Sequence, residues 1–353
     1  MTHPSGVVPE GEVREDDAVT DPSHQPPAGT GARRRNVIVL LVLVLLGLVA
    51  VVTALVVGGD EETTPGTDAR ESAPSSQPAE TPPGALDPAA QQTWRTAFDN
   101  GDLAALRTWF DANTGPTVPI SGEVPGREVR SQADADSLAG HVVTSRITVD
   151  CDCVLRDFVL VGADLWIDGG EVRVQDAVLD GQNTVDLTGA VNVRGGADVT
   201  FSRTEIVRHH DGIRAYGESL TAEYVYIHQV AGPNPERHHQ DGIQTIAGVS
   251  IVERSFIDMA GANTSAMLVK PDGGPIPLAR VNDTLLMGGQ HTISVHDGPR
   301  GAPQLVEFEG ILVAPGYGRA LASIWDFSGE ISAEPARVAG SGATVELVDG
   351  ARL

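Results

Sequence analysis

The feature that most constrains this 353-residue chain is a short unit that occurs twice. Asp211-Gly212-Ile213 and Asp241-Gly242-Ile243 have the same sequence, and histidines precede both copies. Around them, apolar positions recur at intervals of 25 to 30 residues: Val185, Ile213, Ile243, Leu268, Ile293 and Leu321. A regular period of this length indicates a stacked architecture, in which equivalent residues of successive repeats lie one above another.

Each repeat is predicted to form one coil of three short parallel strands joined by turns. Neighbouring coils would then bury a shared aliphatic interior. The chain has 40 glycines, 23 prolines and only 4% aromatic residues. This composition favours small aliphatic strands with many tight turns over a core of large rings.

At these residues the chain resembles the right-handed parallel β-helix proteins of the pectin-lyase-like fold. The repeated Asp-Gly-Ile units and the run from Asn282 to Gly289 carry the resemblance, which covers about residues 118–330. It implies an all-β domain, a right-handed parallel β-helix, over residues 118–353. Because this fold hosts lyases, hydrolases, epimerases, adhesins and inert scaffolds, the resemblance indicates a fold and leaves the function open.

The sequence departs from the enzymes of this fold at their catalytic motifs. It contains no Gly-His-Gly, no Arg-Ile-Lys and no Asp-Asp pair after an Asn-Thr-Asp unit, so the polygalacturonase set is missing. The Arg-x-Pro-x-x-Arg motif of pectate lyases is also missing. The asparagine ladder typical of one turn is replaced, by our alignment, by Thr204, Val225, Arg254 and Thr284. No named enzyme family is therefore assigned.

The net charge argues against a nucleic-acid partner. The chain carries 24 Lys and Arg against 48 Asp and Glu, a formal charge of -24. The one basic run, Arg33-Arg34-Arg35, stands directly before a long apolar segment. Such a charge repels polyanions, including acidic glycans, unless cations or local arginines offset it.

Residues 36–58 are predicted to form a transmembrane signal anchor. The stretch from Val37 to Val57 contains no charge, and about 20 apolar residues span a bilayer core. Because the three arginines precede it and Asp60, Glu61 and Glu62 follow it, the N-terminus is expected in the cytoplasm. The chain is thus predicted to be a single-pass protein of the cell membrane, with an extracytoplasmic C-terminal domain.

The regions beside the anchor have simpler interpretations. Residues 1–35 are predicted to be a disordered cytoplasmic tail, and residues 59–86 an extended Pro- and Ser-rich stalk. Residues 87–117 are predicted to form two short helices, which begin after Asp87 and are separated by Asn100-Gly101. We expect these helices to cap an open end of the repeat array or to serve as a spacer.

The two cysteines, Cys151 and Cys153, are too few for a structural zinc site. On one strand their Cα atoms would lie about 6.5–7 Å apart, near the upper limit for a disulfide. We therefore expect two small buried apolar residues, with a strained or reshuffled disulfide as the alternative.

The strongest candidate site combines the acidic residues and histidines of the two Asp-Gly-Ile repeats. Equivalent groups in adjacent coils lie about 4.8 Å apart, and two stacked carboxylates raise one pKa or recruit a cation. Such a cluster can supply an acid and a base for catalysis. The candidate catalytic residues are Asp211, Asp241, His210, His239 and Lys270. In this hypothesis the aspartates serve as acid and base, the histidines carry protons, and the lysine is a base or a clamp for a carboxylate.

Further polar residues near the repeats are candidates for substrate binding: His209, Arg214, His238, Gln244, Asp272, His291 and His296. Seven of the 10 histidines lie between His209 and His296, which favours one face of the coil. Aromatic residues for sugar stacking are Tyr216, Tyr224, Tyr226 and Trp325.

Two alternatives stand beside this site. Paired carboxylates also suit a Ca2+ ion, although no cofactor is certain. An aspartate before glycine, however, commonly hydrogen-bonds the backbone of its own turn, and a lysine such as Lys270 is commonly a solvated turn residue.

The sequence therefore predicts a membrane-anchored module that binds or processes a carbohydrate polymer, as a polysaccharide lyase or hydrolase if it is an enzyme. The rival is a non-catalytic surface scaffold or adhesive module.

Overall fold

The computed structural model describes residues 86–184, 189–230, 239–324 and 326–353. The predicted cytoplasmic tail, the predicted anchor at residues 36–58 and the predicted stalk up to residue 85 lie outside the described residues. Within the described ranges, no helix is long and apolar enough to cross a membrane.

The described residues form three helices and a long series of short strands, and the first two strands precede the third helix. The helices are α1 (Pro88–Asp99), α2 (Leu103–Asn113) and α3 (Gln132–Asp136). The first strands are β1 (Glu123–Val124), β2 (Glu128–Val129), β3 (Val142–Val143), β4 (Ile147–Asp150), β5 (Cys153–Arg156), β6 (Val159–Val161), β7 (Leu165–Gly169), β8 (Glu171–Gln175), β9 (Val178–Asp180), β10 (Val191–Val193), β11 (Asp198–Ser202), β12 (Glu205–Val207), β13 (Ile213–Ala215) and β14 (Ser219–Glu223). They are followed by β15 (Tyr226–His228), β16 (Ile243–Thr245), β17 (Val249–Glu253), β18 (Phe256–Met259), β19 (Ser265–Val269), β20 (Leu278–Asn282), β21 (Leu285–Gly288), β22 (His291–Val295), β23 (Leu305–Glu309), β24 (Leu312–Ala314), β25 (Ala320–Ile324), β26 (Glu330–Ala333), β27 (Ala336–Val338) and β28 (Thr344–Val345).

These strands build three sheets that run the length of the domain. Sheet A has 11 strands, from β1 and β3 to β27 and β28; sheet B has nine, from β2 and β4 to β25; and sheet C has eight, from β5 to β26. From β3 to β24, each strand pairs with the third strand after it, as β7 pairs with β10 and β10 with β13. Among the described residues every pairing between named strands is parallel except that of β27 with β28. The all-β stack of parallel sheets confirms the predicted parallel β-helix arrangement.

The register of sheet B tests the proposed repeat positions. One inward column holds Leu165, Val191, Ile213, Ile243, Met267, Ile293 and Ala322. The prediction is confirmed for Ile213, Ile243 and Ile293, and it is wrong by one residue at Leu268 and Leu321. Since Met267 and Leu268 are both apolar, composition does not distinguish the buried one, whereas a one-residue shift reverses the face of the sheet. Val185 lies outside the described residues.

The interior of the coil is filled by inward side chains of all three sheets. Leu155, Leu160 and Leu165, for example, come from sheets C, A and B and are fully buried. Burial of one such aliphatic side chain contributes about 1.5–3 kcal/mol. Stacking of coils is therefore the main source of stability, because a single coil has no second layer against which to pack.

Two-residue turns connect sheet C to sheet A. The first turn residue has positive φ, as at Tyr224 (54°) and Arg254 (48°), and its side chain points outward. The register of the flanking strands shows which second turn residues are equivalent in successive coils. They are Thr204, Val225, Ser255 and Thr284. Arg254 was therefore assigned to the wrong turn position, and Ser255 occupies it. In place of asparagines, hydroxyl groups connect the coils: Thr284 Oγ1 accepts the Ser255 N–H at 3.3 Å, and Ser255 Oγ accepts the Val225 N–H at 3.1 Å.

Both predicted helices, α1 and α2, are present, but they lie along the side of the β-helix. Trp94 and Phe110 belong to one buried cluster with Tyr224, Tyr226 and Phe256 on the outer face of sheet A. The amphipathic helices therefore cover a lateral apolar strip, whereas the sequence suggested either a cap on an open end of the array or a spacer.

Helix α3 and its residue Gln132 cover the first strand of sheet C, β5. Gln132 Nε2 donates to the Val154 carbonyl at 3.0 Å, and its Oε1 accepts the Val154 N–H at 2.9 Å. This side-chain amide takes the place of a missing strand beside β5. It satisfies two backbone groups of the edge strand that would otherwise be open to pairing with another chain.

Cys151 and Cys153 form a disulfide, so the preferred expectation of two free cysteines is wrong. Cys153 begins β5, whereas Cys151 precedes it in a bend. The bend brings the two Cα atoms to 5.5 Å, closer than adjacent same-face positions on a straight strand.

Candidate functional site

Asp211 and Asp241 lie in adjacent coils, each two residues before a strand of sheet B, β13 and β16 respectively. Asp211 Oδ1 accepts the Asp241 N–H at 3.0 Å, and Asp241 Oδ1 accepts the Ser265 N–H of the next coil at 2.8 Å. Gln244 Nε2 donates to the second oxygen of Asp241 at 2.7 Å. The stacked carboxyl groups thus extend the backbone ladder between coils.

The glycines of the two repeats allow the coils to approach closely. A Cβ on Gly212 would lie 2.3 Å from the Gly242 carbonyl, and a Cβ on Gly242 would lie 2.5 Å from the Ala266 carbonyl. Each residue of the Asp-Gly-Ile unit therefore has a structural reason: the aspartate bridges coils, the glycine leaves room, and the isoleucine fills the interior.

The acidic pair is buried, with Asp211 5% and Asp241 0% exposed. Burial, and then the charge of Asp241, raises the pKa of Asp211 to about 8, although the Asp241 N–H and Arg214 oppose this shift. Burial also raises the pKa of Asp241, against hydrogen bonds from Thr264, Gln244 and Ser265. Asp211 is therefore mainly protonated at neutral pH, a state in which a buried carboxyl group needs no counter-charge.

The histidines before the two repeats do not form matched pairs. The register of β13 and β16 makes His209 equivalent to His239, and His210 equivalent to Gln240. His209 and His210 are buried, whereas His239 is exposed. Burial lowers the pKa of His209 to about 4, so this ring is neutral at physiological pH. His210 and His239, the two predicted proton carriers, therefore lie at non-equivalent positions of their coils, and His238 lies outside the described residues.

Arg214 connects the acidic pair to an aromatic residue. Its Nε donates to Gln244 Oε1 at 3.2 Å, and its Nη2 donates to the Tyr216 hydroxyl at 2.7 Å. Asp211 Oδ2 lies 3.9 Å from the Nε atom. The structure therefore brings together four predicted site residues: Asp211, Arg214, Asp241 and Gln244.

Lys270 lies just past the C-terminal end of strand β19, whereas the acidic pair lies at the N-terminal ends of the sheet B strands. It follows Val269, the register partner of Thr245, and its Nζ is 3.3 Å from Asp272 Oδ1. In the coil of Asp241, the position level with Lys270 is five residues further along the chain. This separation corresponds to about 16 Å of extended chain. His296 follows Val295, which pairs with Val269, so it lies at the same edge in the next coil. Lys270, Asp272 and His296 are thus separated from the acidic pair.

The other histidines are also dispersed. His291 pairs in register with Ser265, which places it two coils, or about 10 Å, beyond Asp241. Burial, and then Arg319, lowers the pKa of His291. His228 is on sheet A, where it stacks on Tyr226 and its Nε2 is 2.7 Å from Glu205. The expected histidine strip on one face is therefore wrong.

Outward side chains of sheet B form a continuous line that we call the outer row. It consists of Trp166, Asn192, Arg214, Gln244, Leu268, Ser294 and Ser323. Although these positions point away from the interior, Asn192, Gln244 and Ser323 are each 6% exposed and Ser294 is 4% exposed. The outer row is therefore recessed and mostly polar.

Aromatic residues on the outer face of sheet B differ from those expected. Tyr224 and Tyr226 are buried under α1 and α2, and Trp325 is outside the described residues. Trp166 is held between two arginines, with the guanidinium carbons of Arg146 and Arg194 each 3.9 Å from its ring centroid. Among the described members of the expected set, Tyr216 is the stacking residue that lies beside the outer row. Trp166 was missed, although its position between Leu165 and Ile167 in an alternating strand was a readable signal.

No metal centre is formed within the part of the chain that the structure describes. No three His, Cys, Asp or Glu side chains in those residues are close enough to hold a metal ion. The oxygens of Asp211 and Asp241 instead accept hydrogen bonds from the backbone and from Gln244.

Comparisons of the chain with protein families, with curated proteins and with solved structures each gave no match.

Proposed function

We propose that this chain is a membrane-anchored, extracytoplasmic β-helix that binds a carbohydrate polymer along the outer row of sheet B. The observation that carries the proposal is the recessed polar outer row, which offers one side chain per coil. Coils add about 4.8 Å each, so the seven positions extend over about 29 Å. A surface of this length fits several consecutive units of an extended polymer.

The membrane topology in this proposal comes from the sequence. The uncharged segment from Val37 to Val57 and the arginines before it support a single anchor with the C-terminal domain outside the cytoplasm. A right-handed coil is part of the same proposal, because about 98% of crossovers between parallel strands of one sheet have that hand.

The environment of the acidic pair supports binding more strongly than turnover. A general acid or base must reach the reacting group within hydrogen-bond distance. Asp211 and Asp241 are almost fully buried, and their oxygens hold the backbone of the next coil. We therefore propose that these residues stabilise the coils beneath the outer row. The experiment below also tests for polysaccharide cleavage by a lyase or hydrolase activity.

The scaffold alternative is favoured by one observation. Every residue of the Asp-Gly-Ile units has a structural role in coil stacking, so these units do not require a ligand. In this alternative the outer row binds no polymer.

The test uses the full-length protein in nanodiscs and a panel of neutral and charged polysaccharides. Leu268→Trp places a large side chain in the middle of the outer row. Leu278→Trp is the matched control, because Leu278 is also a partly buried, outward leucine, but on sheet C. We expect at least one polysaccharide to bind the wild type and the control, and to bind Leu268→Trp at least about tenfold more weakly.

Three results distinguish the proposals. Equal binding by the two tryptophan variants would move the site away from the outer row. No binding to any polysaccharide would favour the scaffold. Release of products that is lost in Asp211→Asn/Asp241→Asn would show that the protein is an enzyme.

A further inference from the structure

We propose that Asn192 and Arg214 form a subsite that binds one oxyanion, a carboxylate, sulfate or phosphate group carried by the ligand. The inference rests on the proposed function, since it assigns a chemical group to one part of the outer row. The two residues are register partners in adjacent coils, with Asn192 on β10 and Arg214 on β13. Their side chains leave the same face of sheet B, about 4.8 Å apart at the backbone.

Asn192 supplies the first unsatisfied donor. The residue is 6% exposed, and its Nδ2 has no hydrogen-bond partner among the described residues. A buried polar group without a partner is destabilising, because it loses its hydrogen bonds to water and gains none. The alternation of β10, in which Val191 and Val193 fill the interior, directs the Asn192 side chain to the outer row. An acceptor atom of a ligand would satisfy this amide.

Arg214 supplies further donors in a fixed orientation. Gln244 Oε1 accepts from its Nε and the Tyr216 hydroxyl accepts from its Nη2, so two groups hold the guanidinium. Within the described ranges, its Nη1 has no hydrogen-bond acceptor. A Cβ on Gly189 would lie 3.2 Å from Arg214 Cδ, which shows that the arginine side chain lies against this glycine. A guanidinium held in this way is prepared for an oxyanion.

The charge of Arg214 is less compensated than the charges of Arg146 and Arg194 on the same face. Arg146 is 2.6 Å from Asp164, and Arg194 is 2.7 Å from Asp168. The carboxyl group nearest to Arg214 belongs to Asp211, at 3.9 Å. Because burial raises the pKa of Asp211 to about 8, this carboxyl is mainly neutral at pH 7. A local positive charge thus lies on a chain whose net charge is -24, and it would favour an anionic group at this one place.

The experiment compares one neutral oligosaccharide with three derivatives that carry a carboxylate, a sulfate or a phosphate. Affinities for the full-length protein in nanodiscs are measured for the wild type, Arg214→Gln and Asn192→Asp. Arg280→Gln is the matched control, because it removes an equal charge from an ion-paired arginine on sheet C. We expect the wild type and the control to prefer at least one anionic derivative by about tenfold or more, as for a hydrogen bond to a charged group. Both outer-row variants should lose this preference.

The outcomes separate the inference from the proposed function. If the wild type binds neutral and anionic derivatives equally, the oxyanion subsite is wrong and polymer binding stands. If no oligosaccharide binds, the proposed function fails, and the subsite is tested with sodium sulfate, phosphate and acetate at constant ionic strength. A rise in melting temperature in the wild type but not in Arg214→Gln would support the subsite, and its absence for all three anions would overturn it. If Asn192→Asp does not fold, Arg214→Lys replaces it, since it keeps the charge, removes the guanidinium donors and should retain only part of the preference.

Discussion

The carboxyl group of Asp211 accepts the backbone N–H of Asp241 at 3.0 Å, so one side chain connects two coils that are 30 residues apart in the chain. The same connection is repeated by Asp241 and the N–H of Ser265 at 2.8 Å. Side chains that bond to the backbone of the next coil fix the vertical register at the edge of sheet B. The geometry beside the outer row therefore depends on two residues that are too buried to be obvious ligands.

Asp211→Asn should change how stability depends on pH. Because the pKa of Asp211 is raised from 3.8 to about 8 in the folded protein, its contribution is fully present below pH 4 and is lost as pH rises through 8. One such proton changes the free energy of unfolding by at most about 1.4 kcal/mol per pH unit. Melting temperatures between pH 5 and 9 should fall less steeply in the variant, since Asn keeps the acceptor oxygen and does not ionise.

Asp152→Asn is the matched control for this prediction. Asp152 also accepts a backbone N–H of the next coil, that of Glu171 at 2.8 Å, but it is exposed. An unchanged pH dependence in Asp211→Asn would show that the buried carboxyl is not the group that titrates.

On the acidic side, His209 should limit stability. Burial lowers its pKa from 6.5 to about 4, so its contribution is present above pH 6.5 and is lost as pH falls through 4. NMR with labelled histidine should show a neutral His209 ring at pH 5.5. His209→Gln should flatten the loss of melting temperature between pH 6.5 and 4. A ring that is already protonated at pH 6 would contradict the buried position.

Gly242→Ala should destabilise the coil stack. Its Cβ would lie 2.4 Å from Ile257 Cγ2 and 2.5 Å from the Ala266 carbonyl, so the backbone has to move. We expect a loss of about 1–3 kcal/mol, as for other overpacked sites, measured as a lower midpoint of urea unfolding. Gly196→Ala is the control, because its added Cβ would approach only Glu218 Oε2, at 4.0 Å. Equal effects of the two substitutions would show that crowding is not the cause.

Gln132→Leu should open the first edge of sheet C. The substitution leaves the N–H and the carbonyl of Val154 without the partners that now lie at 2.9 and 3.0 Å. Faster amide hydrogen exchange is expected in β5, together with a loss of about 0.5–1.5 kcal/mol per hydrogen bond, because water can reach the freed backbone groups. Gln92→Leu on the exposed side of α1 is the control. Unchanged exchange at Val154 would show that another group protects this edge.

The repeated Asp-Gly-Ile units were sufficient to predict the stacked coils and the equivalence of Ile213 and Ile243. The reason is that a period of fixed length and the two-residue alternation of strands are both local properties that the order of amino acids expresses directly. The two helices were predictable for the same reason, since Asp87 and Asp102 accept the N–H groups of their first turns.

Contacts between distant segments determined the features that the local sequence pattern did not specify. Register distinguished Met267 from Leu268, a bend paired Cys151 with Cys153, and packing on sheet A placed the helices at the side. The contrast between buried His209 and exposed His239, at equivalent positions, arises because burial is a property of the surroundings and not of the motif. The same holds for the protonated Asp211 and for the orientation of Arg214, since both depend on groups from neighbouring coils. Local order of residues thus specified the coil, whereas side-chain environments, and the chemistry that follows from them, required the assembled stack.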